Sequence, residues 1–385
     1  MFHSLGLEKH QWRSQYISES ISIIEGKMRQ IKKDGYTSIF MEEAHNNINT
    51  SSDYLIHLNF DDGYLDNWVH LFPILKELGL KATVYITSDF IDPRDIIRNK
   101  RSESEHDTLQ ANECCAGFLS FPEMKLMEES GVFEIQSHAK THTWYFRGSK
   151  IIDYWSPGSA TKIGGPVWML WNEFPELKPY YLNNAAEIES KIPYGTPIYE
   201  HGKSLEVKKF FPNDLELKTK LIQQAKDQFF FEKDNWKELL NEIVSNVQIE
   251  GLYETDEGFT ERVKGELLQS KKILEDGLGH KVNGICWPGG GIKEEVVEIA
   301  KSVGYKYFTL PSKWKKAPNS FYKEMIPRIG PLSKLTFKGV DLGAPSKSDF
   351  SLYLKVHQNN KWAKLLFLIK RFIKLLFYGI KTIFK

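Results

Sequence analysis

Short apolar runs alternate with amphipathic helical stretches, and this alternation constrains the fold of the chain more than any other feature. "YLIHLNF" (54–60) reads as a strand, "LDNWVHLFPILKELGL" (65–80) as a helix and "KATVYIT" (81–87) as a second strand. A strand, a helix and a strand joined by short connections leave two parallel strands in one sheet. "SFPEMKLMEESG" (120–131) is a helix opened by Ser120 with Glu123 three residues on, the spacing of a capping box. "VFEIQSH" (132–138) is the next strand. The rhythm returns with helix "FTERVKGELLQSKKILEDGLG" (259–279), strand "VNGICWP" (282–288), helix "KEEVVEIAKSVG" (293–304) and strand "YKYFTL" (305–310). Ahead of them, "ISESISIIEGKMRQIKKD" (17–34) has helical apolar spacing. The expected class is α/β with a mostly parallel sheet.

From 146 to 256 the rhythm breaks. "YWSPGSATKIGGPVWMLWNEFPELKPYY" is rich in Pro, Gly and Trp, and "ELKTKLIQQAKDQFFFEKDNWKELLNEIVSNV" (216–247) reads as helical. A segment this long and aromatic is an insertion with its own structure. Its tryptophans Trp155, Trp168 and Trp171 can stack on sugar rings, but large aromatics more often serve a core. Among the 385 residues 41% are hydrophobic and 26% charged, enough for a sizeable core. The net charge of +1 argues against a nucleic-acid partner. Three cysteines, Cys114, Cys115 and Cys286, suggest no disulfide framework and a reducing compartment. The opening "MFHSLGLEKHQWRSQY" has no signal-peptide pattern, and no run of 18 uncharged apolar residues occurs, so a cytoplasmic location is expected.

The chemistry lies at two strand ends. One strand finishes on Asp61-Asp62-Gly63, where a plain Asp-Gly turn is the bland alternative. A later strand runs into His138 and His142. If the chain turns into a helix there, the four-residue spacing puts both imidazoles on one face. In parallel α/β barrels functional groups gather at the C-terminal ends of strands. One carboxylate with two imidazoles makes a three-ligand metal site with room for water, and a second carboxylate beside it is a ready general base.

These residues resemble the polysaccharide deacetylases, the NodB-homology carbohydrate esterases. Phe60-Asp61-Asp62-Gly63 matches the first motif of that family, and His138-Ala139-Lys140-Thr141-His142 has the histidine spacing of the second, with Ala139 where Ser or Thr is usual. "FHSLG" and "MRQIKKDGYTSI" look like the opening of family members, and the resemblance covers about 1–145 and 260–330. It implies a distorted (β/α) barrel; the large insertion and a C-terminal amphipathic helix, read from the residues themselves, lie outside the resemblance. The barrel comprises 1–145 and 257–350, the insertion 146–256, and a linker with the basic helix 351–385.

The resemblance also implies roles: Asp61 as catalytic base, and Asp62, His138 and His142 as ligands of a divalent metal, with Zn²⁺ expected. The third motif is "CWPGGG", with Trp287, Pro288 and Gly290 expected at the substrate and the Gly289 N–H as oxyanion donor. Cys286 stands where the family has arginine and Gly289 where it has an aromatic. Arg328, in "MIPRIGP", is the candidate replacement partner for Asp61. The general acid has no clear match; His201 and His357 are candidates, and His57 reads as a core histidine.

The last 25 residues, "KWAKLLFLIKRFIKLLFYGIKTIFK", carry seven basic and no acidic side chains. Basic residues at helical spacing opposed by apolar ones suit an interfacial helix on an anionic leaflet, with Trp362, Lys364, Arg371 and Lys374 as expected contacts. The expected function is metal-dependent de-N-acetylation of an N-acetylated glycan or glycolipid, lipid-linked or nascent, at the inner face of the cell membrane. A glycan-binding scaffold without turnover is the alternative; metal content and turnover separate the two. A glycosidase using Asp61 and Asp62 is disfavoured, because adjacent residues rarely give the ~5–9 Å carboxyl spacing it needs. Oligomeric state is not legible.

Overall fold

The structure, a computed structural model, describes residues 1–7, 17–48, 54–100, 116–182, 188–227, 229–314 and 317–383, with the side chains of 378–383 excepted. Helix α1 (Ile21–Lys33) starts at Ser20, whose hydroxyl accepts from the Ile23 N–H. The stretch expected as one strand at 54–60 is interrupted, and the sheet strand proper is β1 (Asn59–Asp62), all four residues buried. A π-helical turn (Asn67–Leu71) runs into α2 (Phe72–Leu78), which Gly79 ends at φ 61°. Strand β2 (Ala82–Ile86), helix α3 (Phe121–Glu129) and strand β3 (Phe133–Ser137) follow. The capping box at α3 is present: Glu123 N–H donates to Ser120 Oγ and Ser120 N–H to Glu123 Oε2.

The segment after β3 opens with an antiparallel pair, β4 (Trp144–Tyr154) and β5 (Pro197–Lys203). The stretch 216–247, read from sequence as helical, is divided into α4 (Leu215–Gln224) and α5 (Trp236–Val244). These two helices share a small core of Tyr154, Leu217, Leu221, Ala225, Phe230 and Leu240, separate from the main one. Trp155, Trp168 and Trp171 are instead part of the main core. The chain then returns through α6 (Asp256–Leu278), β6 (Gly284–Ile285), α7 (Glu294–Ser302) and β7 (Tyr307–Phe308).

The strands form a parallel sheet in the order β7-β6-β3-β2-β1. Its register sets Asp62 opposite Ile86, Ile86 opposite Ser137 and Ser137 opposite Ile285. Four strands therefore end at one level, and whatever follows each of them meets at the same rim. Both edges are covered. Phe2 bridges in parallel to Phe60 on one side, and Ile326 to Thr309 on the other. The Met1 nitrogen then donates to the Ile329 carbonyl at 3.0 Å, joining the two covering segments into a ring. Five hydrogen-bonded strands and two flanking segments thus make an irregular α/β barrel.

Two helices end the described chain, α8 (Lys347–His357) and α9 (Lys361–Ile383). Ala363 and Phe367 of α9 are buried, while Trp362, Leu365, Leu366, Phe372 and Phe377 are exposed. The expectation that Arg371 and Lys374 face a leaflet is corrected. Lys370 and Lys374 each lie 2.9 Å from Asp349, and Arg371 donates to the Thr336 carbonyl. Asp349 is 1% exposed, and a carboxylate so buried requires countercharge, which the cations of α9 supply. Lys370, Arg371 and Lys374 face the protein body and the apolar side faces outward, while Lys361 and Lys364 are exposed. No helix among the described residues is long and apolar enough to cross a membrane. Cys286 is free and buried, while Cys114 and Cys115 lie outside the described residues.

Candidate active site

The barrel rim gathers the two motif segments because β1 and β3 end in register. Asp61 and Asp62 close β1, and Asp62 takes φ 75°, a left-handed conformation that side chains other than glycine seldom adopt. Gly63 continues at φ 79°, and a Cβ there would sit 2.7 Å from Ile86 Cδ1. Beyond β3 there is no helix. His138 and His142 converge through a loop in which Ala139 (φ 57°) and His142 (φ 43°) are both left-handed. The helical route to the histidine pair is thus replaced by a strained loop, and the ring centroids stand 5.2 Å apart. Three non-glycine residues at positive φ within one site mark a backbone held in place by its surroundings.

The imidazole Nε2 atoms of His138 and His142 each lie 3.4 Å from Asp62 Oδ1. That oxygen is buried and accepts no hydrogen bond. His138 is oriented from behind by its Nδ1, 2.8 Å from the Cys286 carbonyl oxygen, which leaves Nε2 facing the centre. Burial raises the Asp62 carboxyl above its usual range, with the Asp61 charge adding to the rise against His3 and His138. Burial likewise pulls His138 down to about 4 against the pull of both aspartates, so its ring is neutral at pH 7. An orphaned buried carboxylate oxygen facing two imidazole nitrogens is a donor set that fits a divalent cation.

Asp61 is held differently. Arg328 Nη2 reaches both of its oxygens, at 2.7 and 2.5 Å, and Nη1 donates to Cys286 Sγ. Burial alone would raise the Asp61 carboxyl; Arg328, with His138 and His3, outweighs it and holds the group well below the usual carboxylate range. Arg328 arrives on the segment that covers β7, so closure of the barrel brings it to a cysteine and an aspartate 42 and 267 residues away. Asp61, His138 and Cys286 form a second cluster of metal-type donors. The guanidinium within it repels a cation, and burial drives the Cys286 thiol far above its ordinary range, so it stays protonated.

A cleft of about 300 Å³ opens over these groups, lined by His3, Tyr64, Phe90, Trp144, Trp171, Tyr181, Trp287, Gly289 and Gly290 as well as the two aspartates, both histidines and Arg328. Pro288 is buried in the turn behind it. His201 stands apart, its Nδ1 3.0 Å from the Tyr199 carbonyl and its ring against Trp168. His357 packs on Tyr353 at the end of α8. Neither lines the cleft. His57 bonds Thr83 Oγ1 at 2.9 Å, and burial pulls it down to about 3, as suits a neutral structural histidine. The residue that sequence reasoning passed over is His3, whose Nε2 is 3.8 Å from Asp61 Oδ2. Its signal was present in "FHSLG", quoted for the resemblance but given no role.

One comparison with known proteins falls on this site. Residues 48–157 match the family model described as polysaccharide deacetylase, and this segment holds Asp61, Asp62, His138 and His142. YxkH of Bacillus subtilis (strain 168), a protein named as a polysaccharide deacetylase, is 32% identical over 65 residues, which are 16% of this chain and only 23% of that protein. Among solved structures, a de-N-acetylase from Aggregatibacter actinomycetemcomitans is similar at 16% identity and TM-score 0.48, over 85% of this chain and 92% of that one. The BpsB deacetylase domain from Bordetella bronchiseptica is similar at 16% identity and TM-score 0.43, over 78% and 80%. The segment 48–157, which carries the aspartate pair and both histidines, is thus polysaccharide deacetylase-like by its match to the family model.

Proposed function

We propose that the chain is a metal-dependent hydrolase that removes the N-acetyl group from a sugar. The observation that carries this reading is the unpartnered Asp62 Oδ1 between two imidazoles, with Asp61 fixed beside it by Arg328. Asp62, His138 and His142 would hold a divalent ion, with Zn²⁺ the natural choice for this donor set, and it would supply Lewis-acid polarisation of the amide carbonyl and activation of water. Asp61, kept ionised by Arg328, accepts the proton of the attacking water. The Gly289 N–H, in the turn at the cleft wall, stabilises the oxygen that becomes negative. His3, across from Asp61, protonates the departing amine. The aromatic walls, Trp144, Trp171 and Trp287 among them, give a sugar ring flat apolar surfaces. Trp287 and Gly290, with Pro288 setting the turn, position the substrate. The unpartnered Asp62 Oδ1 between two imidazoles, with a second carboxylate beside it, favours the catalytic reading over a scaffold.

The barrel of 1–145 and 257–350 carries the catalysis, 146–256 is an insertion that walls the cleft, and 351–385 carries the basic helix. We place the enzyme peripherally on an anionic membrane surface, at the cytoplasmic face, acting on a lipid-linked or nascent glycan. The exposed apolar side of α9, with Lys361 and Lys364 exposed beside it, supports this. Purified protein should contain about one divalent ion per chain and release acetate from tri-N-acetylchitotriose. Metal bound without acetate release would favour the scaffold. Flotation with phosphatidylglycerol vesicles should be lost on truncation after Asn360; a truncated protein that still floats would refute the role of α9.

A further inference from the structure

Strand β5 ends on Lys203, and this side chain crosses from the insertion onto the third-motif turn. A Cβ at residue 289 would lie 3.2 Å from Lys203 Cε, and one at residue 291 would lie 2.7 Å from Lys203 Cδ. Residue 289 is the position at which the motif otherwise carries an aromatic. Glycine there leaves the room that Lys203 occupies, so the departure from the motif and the insertion fit one another. Lys313, on the loop after β7, lines the cleft over Asp61 with Gly289 and Gly290, while Lys203 lines the recess next to it.

Lys203 and Lys313 both stand at the Gly289–Gly290 turn, with Lys203 Nζ 3.8 Å from the position of a Cβ at residue 289 and Lys313 lining the cleft beside both glycines. Burial depresses the Lys203 ammonium below its ordinary range and Lys313 adds to the depression, with Glu206 opposing both. A recess of about 520 Å³ continues outward from Lys203, and Arg147 and Lys293 line it with Glu206 as its acid. Arg147 is engaged by Glu200 at 3.4 Å. Two like charges at the edge of a catalytic cleft, offset in part by Glu206, favour a bound anion. Lysines act as point charges on phosphate, whereas carboxylate recognition favours the planar fork of arginine.

We propose that Lys203 and Lys313 form a subsite for a phosphate ester carried by the same substrate molecule that presents its N-acetyl group to Asp61. This rests on the de-N-acetylase reading and narrows its substrate to a phosphorylated N-acetylated sugar. The test compares acetate release from N-acetylglucosamine 1-phosphate and from tri-N-acetylchitotriose, and separately measures calorimetric binding of glucose 1-phosphate, which has no acetyl group.

In the Lys203→Gln/Lys313→Gln double variant, the ratio of kcat/KM for the phosphorylated over the neutral sugar should fall about tenfold or more, with the loss in KM. Affinity for glucose 1-phosphate should fall by a similar factor, while Lys203→Arg should keep both. An unchanged ratio together with unchanged glucose 1-phosphate binding would overturn the subsite. So would a lysine-dependent gain for glucuronate in place of the phosphate. Lysine-dependent binding of glucose 1-phosphate with no acetate release from either sugar would leave the anion site standing and reject the deacetylase reading instead.

Discussion

Replacing Arg328 by methionine tests whether the pairing created by barrel closure does what its geometry implies. Both charges are buried, Asp61 at 4% and Arg328 at 7% exposure. At a charge separation of about 4 Å and an effective dielectric of about 20, their attraction is roughly 4 kcal/mol. Removing the guanidinium leaves the Asp61 carboxylate buried without its partner, and breaking such a pair costs about 3–5 kcal/mol. Neutralising the aspartate as well, in Arg328→Met/Asp61→Asn, removes the stranded charge. What remains is the penalty of imperfectly satisfied polar groups, about 1–3 kcal/mol. The double variant should therefore be more stable than the Arg328→Met single variant. Urea denaturation followed by far-UV circular dichroism gives both numbers. A loss below about 1 kcal/mol in the single variant, or a double variant no more stable than the single, would refute the reasoning.

Metal content separates the two aspartates: Asp62→Asn and His138→Ala/His142→Ala should release the ion, while Asp61→Asn should retain it and lose turnover. Equal metal loss at both aspartates would contradict that division. Gly63→Ala should cost about 1–3 kcal/mol, since its φ of 79° strains any side chain and the new Cβ meets Ile86; a neutral thermal shift would show that the turn can relax. The Asp349 carboxyl is desolvated, which raises it, yet Ser346, Lys374 and Lys370 hold it well below its usual range. A depressed folded value means that the stability is complete above the unfolded pKa of about 4 and lost as pH falls through the folded value. Protection factors of the α9 amides, referred to the intrinsic exchange rate at each pH, should therefore fall in acid, and Asp349→Asn should show the low protection already at pH 7. Identical protection in both proteins would show that Ala363 and Phe367 alone hold the helix.

The sequence alone determined the parallel α/β character, since period-two and period-3.6 apolar patterns are local and survive without tertiary context. It also delivered Asp61, Asp62, His138 and His142, because each motif lies within a few residues of a strand end. It did not determine how the two histidines meet. Their spacing suits a helix, and only packing around β3 forces Ala139 and His142 into left-handed conformations in a loop. Nor could it rank His3 above His201 or His357, because distance to Asp61 depends on which segments cover the sheet edges. The partnership of Arg328 with Asp61 is non-local in the same way, fixed when the segment after β7 meets the N-terminal residues. The orientation of α9 shows the limit most plainly. A helical wheel separates charge from apolar surface, but the buried Asp349 on the neighbouring helix decides which side faces inward. Local periodicity is a property of the chain, whereas desolvated charges choose their partners in three dimensions.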